Sequence, residues 1–134
     1  MSRPVLLLPV HRDRYAVPLA MVQEVLEPRL VTRLPDAPPS VLGIINVRGV
    51  VVGVLDTAVL LGLPPLGTAR SVAVVRVARG LAGLAASARP TTEELGEDLG
   101  ASPLPAALGR RRTSSGVATL LDLEAVLAPE AVAG

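Results

Sequence analysis

Apolar residues in this chain fall in short bursts, each cut off by Gly, Pro or a charged group. That is the rhythm of many short β-strands rather than of long helices. Arg3 to Val10 reads as a first strand, His11-Arg12-Asp13-Arg14 as a polar turn, and Tyr15-Ala16-Val17 as the start of a return strand. Pro18 opens the stretch Leu19 to Leu26, whose spacing fits either one helical turn or a bent strand. Leu30 to Leu34 predicts a short strand stopped by Pro35, and the Pro-rich segment Asp36 to Ser40 must turn. Gly43 to Val47 and Val50 to Leu55 are β-branched runs meeting at Arg48-Gly49, the mark of a tight hairpin. Asp56 and Thr57 are placed to cap a short helix reaching Leu61, with Gly62 as its stop.

A second hairpin is expected from Ser71 to Val77 and Leu81 to Ala86, around Arg79-Gly80. Arg89 to Leu104 breaks the rhythm. It is acidic at Glu93, Glu94, Glu97 and Asp98 and rich in Gly and Pro, which predicts a short exposed helix, with Thr91 or Thr92 as N-cap, or a loose loop. Gly116 to Leu121 reads as a last strand and Asp122 to Leu127 as a terminal helix capped by Asp122. Residues 1–128 make one domain, and the tail 129–134 is expected to fray. Two strand-pair units look loosely alike, with different tails, and no further internal repeat is apparent.

Composition narrows the chemistry. The 134 residues are 50% hydrophobic and 19% charged, enough for one packed core and too apolar for a disordered chain. Tyr15 is the only aromatic residue, so the interior must be built from Val, Leu, Ile and Ala. All 13 basic residues are Arg and the net charge is +1, so no general attraction to nucleic acid or anionic membrane is expected. Without Cys there is no disulfide, thiol nucleophile or zinc-thiolate site. Gly-x-Ser-x-Gly elbows, phosphate loops and paired His and Cys are lacking, so no catalytic residue, cofactor or metal is assigned. His11, the one histidine, reads as surface, and the Glu93 to Asp98 cluster lacks the spacing of a calcium loop. No leader or spanning segment is read, which makes the cytoplasm the expected compartment.

From Tyr15 to Pro64 the chain resembles the CheW family of bacterial chemosensory adaptors. The matching phrases are Val22-Gln23-Glu24-Val25, Leu30-Val31-Thr32-Arg33-Leu34-Pro35, Gly43-Ile44-Ile45-Asn46-Val47-Arg48-Gly49 and Val54-Leu55-Asp56, with Leu120 to Leu127 matching the family's closing strand and helix. The resemblance implies a mainly β fold of two small SH3-like barrels with a short C-terminal helix. It also implies a non-enzymatic adaptor that couples the cytoplasmic domain of methyl-accepting chemoreceptors to the regulatory domain of a CheA-type histidine kinase. After Gly83 the family's usual continuation is replaced by Leu84-Ala85-Ala86-Ser87-Ala88, and Gly53 and Thr57 replace a usual Pro and apolar residue. The second barrel is therefore expected to be shortened. An accessory adaptor that binds receptors, or another CheW-like protein or itself, without docking the kinase is the alternative. A small nucleic-acid-binding barrel using Arg110-Arg111-Arg112 is the rival from another class, although a solvated hairpin loop is the better reading of that run.

The candidate protein-binding residues are Val22, Glu24, Val25, Thr32, Arg33, Asn46, Arg48 and Gly49. Arg48 stands first, because a hairpin tip holds its backbone while its guanidinium offers several donors. Glu24 is expected within ion-pair reach of Arg48, and Val22 is placed at the surface with Val25 as part of an apolar patch. Thr32 and Arg33 follow from the resemblance. Asp56 is read as a helix cap, Gly43 and Gly49 as backbone requirements, and Tyr15 as core or barrel rim.

Overall fold

A computed structural model describes residues 3–129 and 132, and among these residues there are twelve strands, two single-turn α-helices and two 3-10 turns. Strands β1 (Pro4–Val10), β2 (Asp13–Pro18), β9 (Thr91–Glu94), β10 (Asp98–Gly100), β11 (Ala107–Thr113) and β12 (Gly116–Leu121) form one sheet, ordered β9-β1-β2-β12-β11-β10. Strands β3 (Val22–Leu26), β7 (Ser71–Val77), β8 (Gly80–Ala86), β6 (Val50–Leu55), β5 (Val41–Val47) and β4 (Thr32–Arg33) form the other, in that order. A 3-10 turn at Leu19–Met21 precedes β3, so the stretch after Pro18 is both a helical turn and a strand.

Each sheet is closed by one continuous segment that leaves one edge and arrives at the other. In the first sheet β9 pairs with β1, and a few residues later β10 pairs with β11. In the second, β3 pairs with β7 and β4 with β5. The edges that would otherwise expose unpaired N–H and C=O groups are thereby joined, giving barrel A and barrel B.

The two barrels repeat the same unit. Residues 41–55 pair Val41 with Leu55, Gly43 with Val54 and Val47 with Val50. Sixty-six positions later (41 to 107, 55 to 121) the same register recurs, with Ala107 opposite Leu121, Gly109 opposite Leu120 and Thr113 opposite Gly116. Both ladders bulge at the same place, at Leu42 and at Leu108. Each unit then makes a parallel contact, β6 with β8 and β12 with β2, and ends in an Asp-capped turn of helix, α1 (Thr57–Leu60) or α2 (Leu123–Val126). The expectation of no internal repeat beyond a loose likeness of two strand-pair units is thus corrected. Few side chains are shared, because the pattern of pairing constrains hydrogen bonds and faces rather than identities.

Burial explains the near-continuous apolar runs. Strands β1, β2, β7 and β8 are covered on both faces. Val5, Leu7 and Ala16 pack inside barrel A, and Val72, Val74 and Ala85 inside barrel B. Their alternate neighbours Leu6, Leu8, Tyr15, Val17, Ala73, Val75 and Leu84 form the largest core cluster, between the barrels. A strand buried on two faces has no polar alternation to show. Tyr15 is 1% exposed, and burial, followed by the nearby Asp13, raises its phenol pKa.

Three expectations for the second half change. Arg89 to Leu104 holds strands β9 and β10, so Thr91 and Thr92 lie in a strand and cap nothing. Its charges sit on short edge strands, where outward-facing acids are compatible with pairing. Arg110, Arg111 and Arg112 lie within β11 rather than in a hairpin loop. The second barrel is not shortened as expected: both sheets keep six strands, and its closing strands β9 and β10, of four and three residues, match the five and two of β3 and β4 in barrel B. Of the tail, residues 130, 131, 133 and 134 lie outside the described residues.

Candidate docking site

The β5–β6 hairpin turns at Arg48 and Gly49, both left-handed at φ 51 and 87. A two-residue hairpin needs such angles to match the twist of its strands, and Gly or Asn supplies them without strain. Gly49 fits. Arg48 does not, since a Cβ in this region costs energy that the surroundings must offset. Part of the offset is visible: the Asn46 side-chain oxygen accepts from the Gly49 N–H at 2.9 Å, bracing the turn. A second contact holds the side chain. Arg48 Nε donates to Glu24 Oε2 at 3.2 Å, as the expected ion pair requires.

Glu24 is carried there by a bulge. Val22 faces Val75 and Glu24 faces Val74, so Gln23 is an extra residue on β3. The bulge turns Gln23 outward to accept from Arg76 at 3.0 Å. The Arg48 side chain stays 81% exposed and that of Glu24 26%. An ion pair this open contributes about 0–1 kcal/mol, so it positions more than it stabilises.

The fold also leaves apolar side chains in solvent on these strands: Val25 on β3, next to Glu24 in the chain, and Val50 and Val51 at the start of β6, just after the Arg48-Gly49 turn. Val51 is 65% exposed although Val52 and Val54 beside it are buried. Alternation along β6 forces this, because one face of a Val-Val-Val run must point out.

The other candidate residues divide. Val22 is half-buried against the inter-barrel core, which corrects its placement at the surface. Its bulge-side position turns it inward, where an apolar side chain gains more. Thr32 and Arg33 are exposed on β4, but the Arg33 guanidinium reaches the Gly67 carbonyl at 3.2 Å, away from Arg48. Gly43 is a close-approach position, since a Cβ there would overlap the Thr32 carbonyl oxygen. Asp56 is buried and caps α1, with Oδ1 accepting from Ala58 and Val59 and Oδ2 from Gly67. Val50, Val51 and Gln23 were missed in the sequence. Their signals, a β-branched triplet longer than one face can bury and a bulge, become readable only with the strand register.

His11 is exposed at φ 56, and its Nε2 lies 2.6 Å from the Pro64 carbonyl, tying the β1–β2 turn to the link after α1. Among the described residues no three His, Cys, Asp or Glu stand together as a metal-ligating group, and no helix is long and apolar enough to cross a membrane. A rigid turn, a paired guanidinium and exposed valines offer shape and charge to a partner protein.

Comparison with known proteins agrees with this architecture. The family model described as CheW-like domain matches residues 4–131. Among solved structures, the chain is similar to the scaffolding protein TtCheW from Thermoanaerobacter tengcongensis, with a TM-score of 0.77 and 19% identity over 98% of this chain and 96% of that one. No curated protein matches. At that identity the solved structure speaks for the fold, and the family model, matched over nearly the whole chain, makes this protein a member of the CheW-like domain family.

Proposed function

We propose that this protein is a non-enzymatic cytoplasmic adaptor that couples the cytoplasmic domain of a chemoreceptor to the regulatory domain of a CheA-type histidine kinase. The observation that carries the reading is Arg48. A long cationic residue is kept at a left-handed turn position that favours glycine, mostly in solvent and aimed by Glu24, with exposed Val25 next to Glu24 in the chain and exposed Val50 and Val51 just after the turn. Backbone strain retained at an exposed tip is the mark of a side chain needed there. Anchors of this kind, an Arg beside desolvatable apolar groups, dominate many protein interfaces.

The accessory reading without the kinase rested on missing strands, and six strands in each sheet remove that support. The nucleic-acid reading also weakens. Arg111 donates twice to the Gly96 carbonyl and Arg112 pairs with Glu97, so the cationic run is engaged in closing barrel A.

Binding titrations against a purified receptor cytoplasmic domain and a CheA regulatory domain test the proposal. Arg48→Ala is expected to weaken at least one of them about tenfold while leaving the fold intact. Binding to neither domain by the unaltered chain would overturn it.

A further inference from the structure

The counterpart of Arg48 in barrel A is Ser114, at the tip of the β11–β12 hairpin and 66 positions on (48 to 114, in the register of 41 to 107). Here too a carboxylate on the closing segment holds the tip. Ser114 Oγ donates to Glu93 Oε1 at 2.5 Å and Ser115 Oγ to Glu93 Oε2 at 2.6 Å. These two donors lower the Glu93 pKa. Arg14 adds a bond to the Ser115 carbonyl at 2.5 Å. The carboxylate of barrel B therefore takes a cation as its partner at the tip, and that of barrel A takes neutral hydroxyls. A hydroxyl latch has one property the cation lacks, in that esterification can reverse its electrostatic sign.

The sequence before the tip supplies the recognition element. Arg110, Arg111 and Arg112 lead through Thr113 to Ser114, and Arg110, Arg112, Ser114 and Ser115 are all exposed. Thr113 is buried at 8% exposure, which leaves the two serines as the accessible hydroxyls of the run. Arg112 and Arg111 stand two and three residues before Ser114, the pattern that basophilic serine kinases read through their own carboxylates; Arg112 is exposed, and the half-buried Arg111 must leave the Gly96 carbonyl to be read.

We propose that Ser114 is a phosphorylation site, and that its modification opens the closure of barrel A. In the transfer, Ser114 Oγ forms a bond to the γ-phosphorus of a nucleoside triphosphate. The bond to the bridging oxygen breaks, the nucleoside diphosphate departs, and the hydroxyl proton passes to the base of the kinase. The product carries about −1.5 to −2 charges at neutral pH. Where the hydroxyl donated to Glu93, a phosphate now faces a carboxylate with no proton between them, while Arg110 and Arg112 offer it partners on the same strand. The Ser114 half of the Glu93 latch is lost, leaving Ser115 as its hydroxyl donor. The closure then rests on the backbone bonds beside it, Gly96 N–H to the Arg112 carbonyl and Arg112 N–H to the Glu97 carbonyl, with Arg111 on the Gly96 carbonyl and Arg112 on Glu97.

The test incubates the full folded chain with nucleoside triphosphate and a serine kinase of known Arg-Arg-x-Ser preference, and follows it by intact mass and fragment mapping. One phosphate on Ser114, absent from Ser114→Ala, is expected. Hydrogen exchange of the modified chain should be faster at the Gly96 and Arg112 amides by about tenfold, with barrel B unchanged. Glu93→Ala should show the faster exchange without phosphate, and phosphorylation should then add little. No phosphate on the folded chain, phosphate that persists in Ser114→Ala, or unchanged exchange after modification would each overturn the proposal.

Discussion

Barrels A and B share a strand order, a hairpin register and a capped helical turn, yet they assign different chemistry to equivalent places. The tips differ as described: Arg48 on Glu24 in one, Ser114 and Ser115 on Glu93 in the other. The caps differ in burial. Asp56 is 1% exposed and accepts three backbone N–H bonds, whereas the half-buried Asp122 accepts one, from Ala125. The outer faces agree in one respect, for Val51 and its counterpart Val117 are both exposed. Topology thus sets where a hairpin tip, a cap and an outward face must be, and leaves open what stands there.

The caps should show the widest gap. Asp56→Ala leaves the buried Ala58, the half-buried Val59 and the exposed Gly67 N–H groups without their acceptor and is expected to cost about 2–3 kcal/mol, against about 1 kcal/mol for Asp122→Ala. Urea denaturation of both variants measures this, and equal losses would mean that burial does not distinguish the two caps. Next in size is the glycine after each bulge. A Cβ at Gly43 overlaps the Thr32 carbonyl on the closing strand, so Gly43→Ala should cost about 2–3 kcal/mol. Gly53, on the opposing strand with nothing near its Cβ position, serves as the contrast, and Gly53→Ala is expected to be neutral or slightly stabilising.

Barrel B was largely legible in the sequence because its turn signals are strong. Arg48-Gly49 marks a hairpin, Asp56-Thr57 a cap and Gly62 a stop, and each stands where the residues place it. Barrel A was less so. Its hairpin turns on Ser114-Ser115 ahead of Gly116 at φ 136, and three consecutive arginines occupy a strand. Charged residues on short, partly exposed strands carry no apolar alternation, so β9, β10 and β11 look like loop until their ladders are known. In the sequence the repeat leaves few identities, Leu42-Gly43, Val51, Leu55-Asp56 and Leu61 recurring as Leu108-Gly109, Val117, Leu121-Asp122 and Leu127. In the site, the Glu24–Arg48 pair could be anticipated from the resemblance. The Val51 face could not, since it depends on which side of β6 meets the barrel interior.

The tip pair of barrel B should register weakly in stability. A double-mutant cycle on Glu24→Ala and Arg48→Ala is expected to give a coupling of about 0.5 kcal/mol, falling in high salt. Replacement of Arg48 by Gly at the same left-handed position relieves the Cβ strain, so Arg48→Gly should lose less stability than Arg48→Ala, or even gain. The same variant should still fail in partner binding. A variant that is more stable and yet binds normally would show that Arg48 is a turn residue and nothing more.

The smallest effect belongs to the tip of barrel A, and its sign follows from the direction of the Glu93 shift. Hydrogen bonds from Ser114 and Ser115 favour the ionised carboxyl, so its folded-state pKa lies below the usual glutamate value. The linked stability is present above the usual value and is lost as pH falls through the lowered one. Because the group is close to solvent, screening keeps the contribution slight, and carboxyl NMR is the better reporter. Glu93 should titrate below the usual range in the unaltered chain and return toward it in Ser114→Ala/Ser115→Ala, while Glu27, lowered by its bond to Arg29, should stay where it is. If Glu93 kept its low pKa without the two hydroxyls, the latch would have to be credited to some other donor, and the contrast between a cationic tip and a hydroxyl tip would collapse.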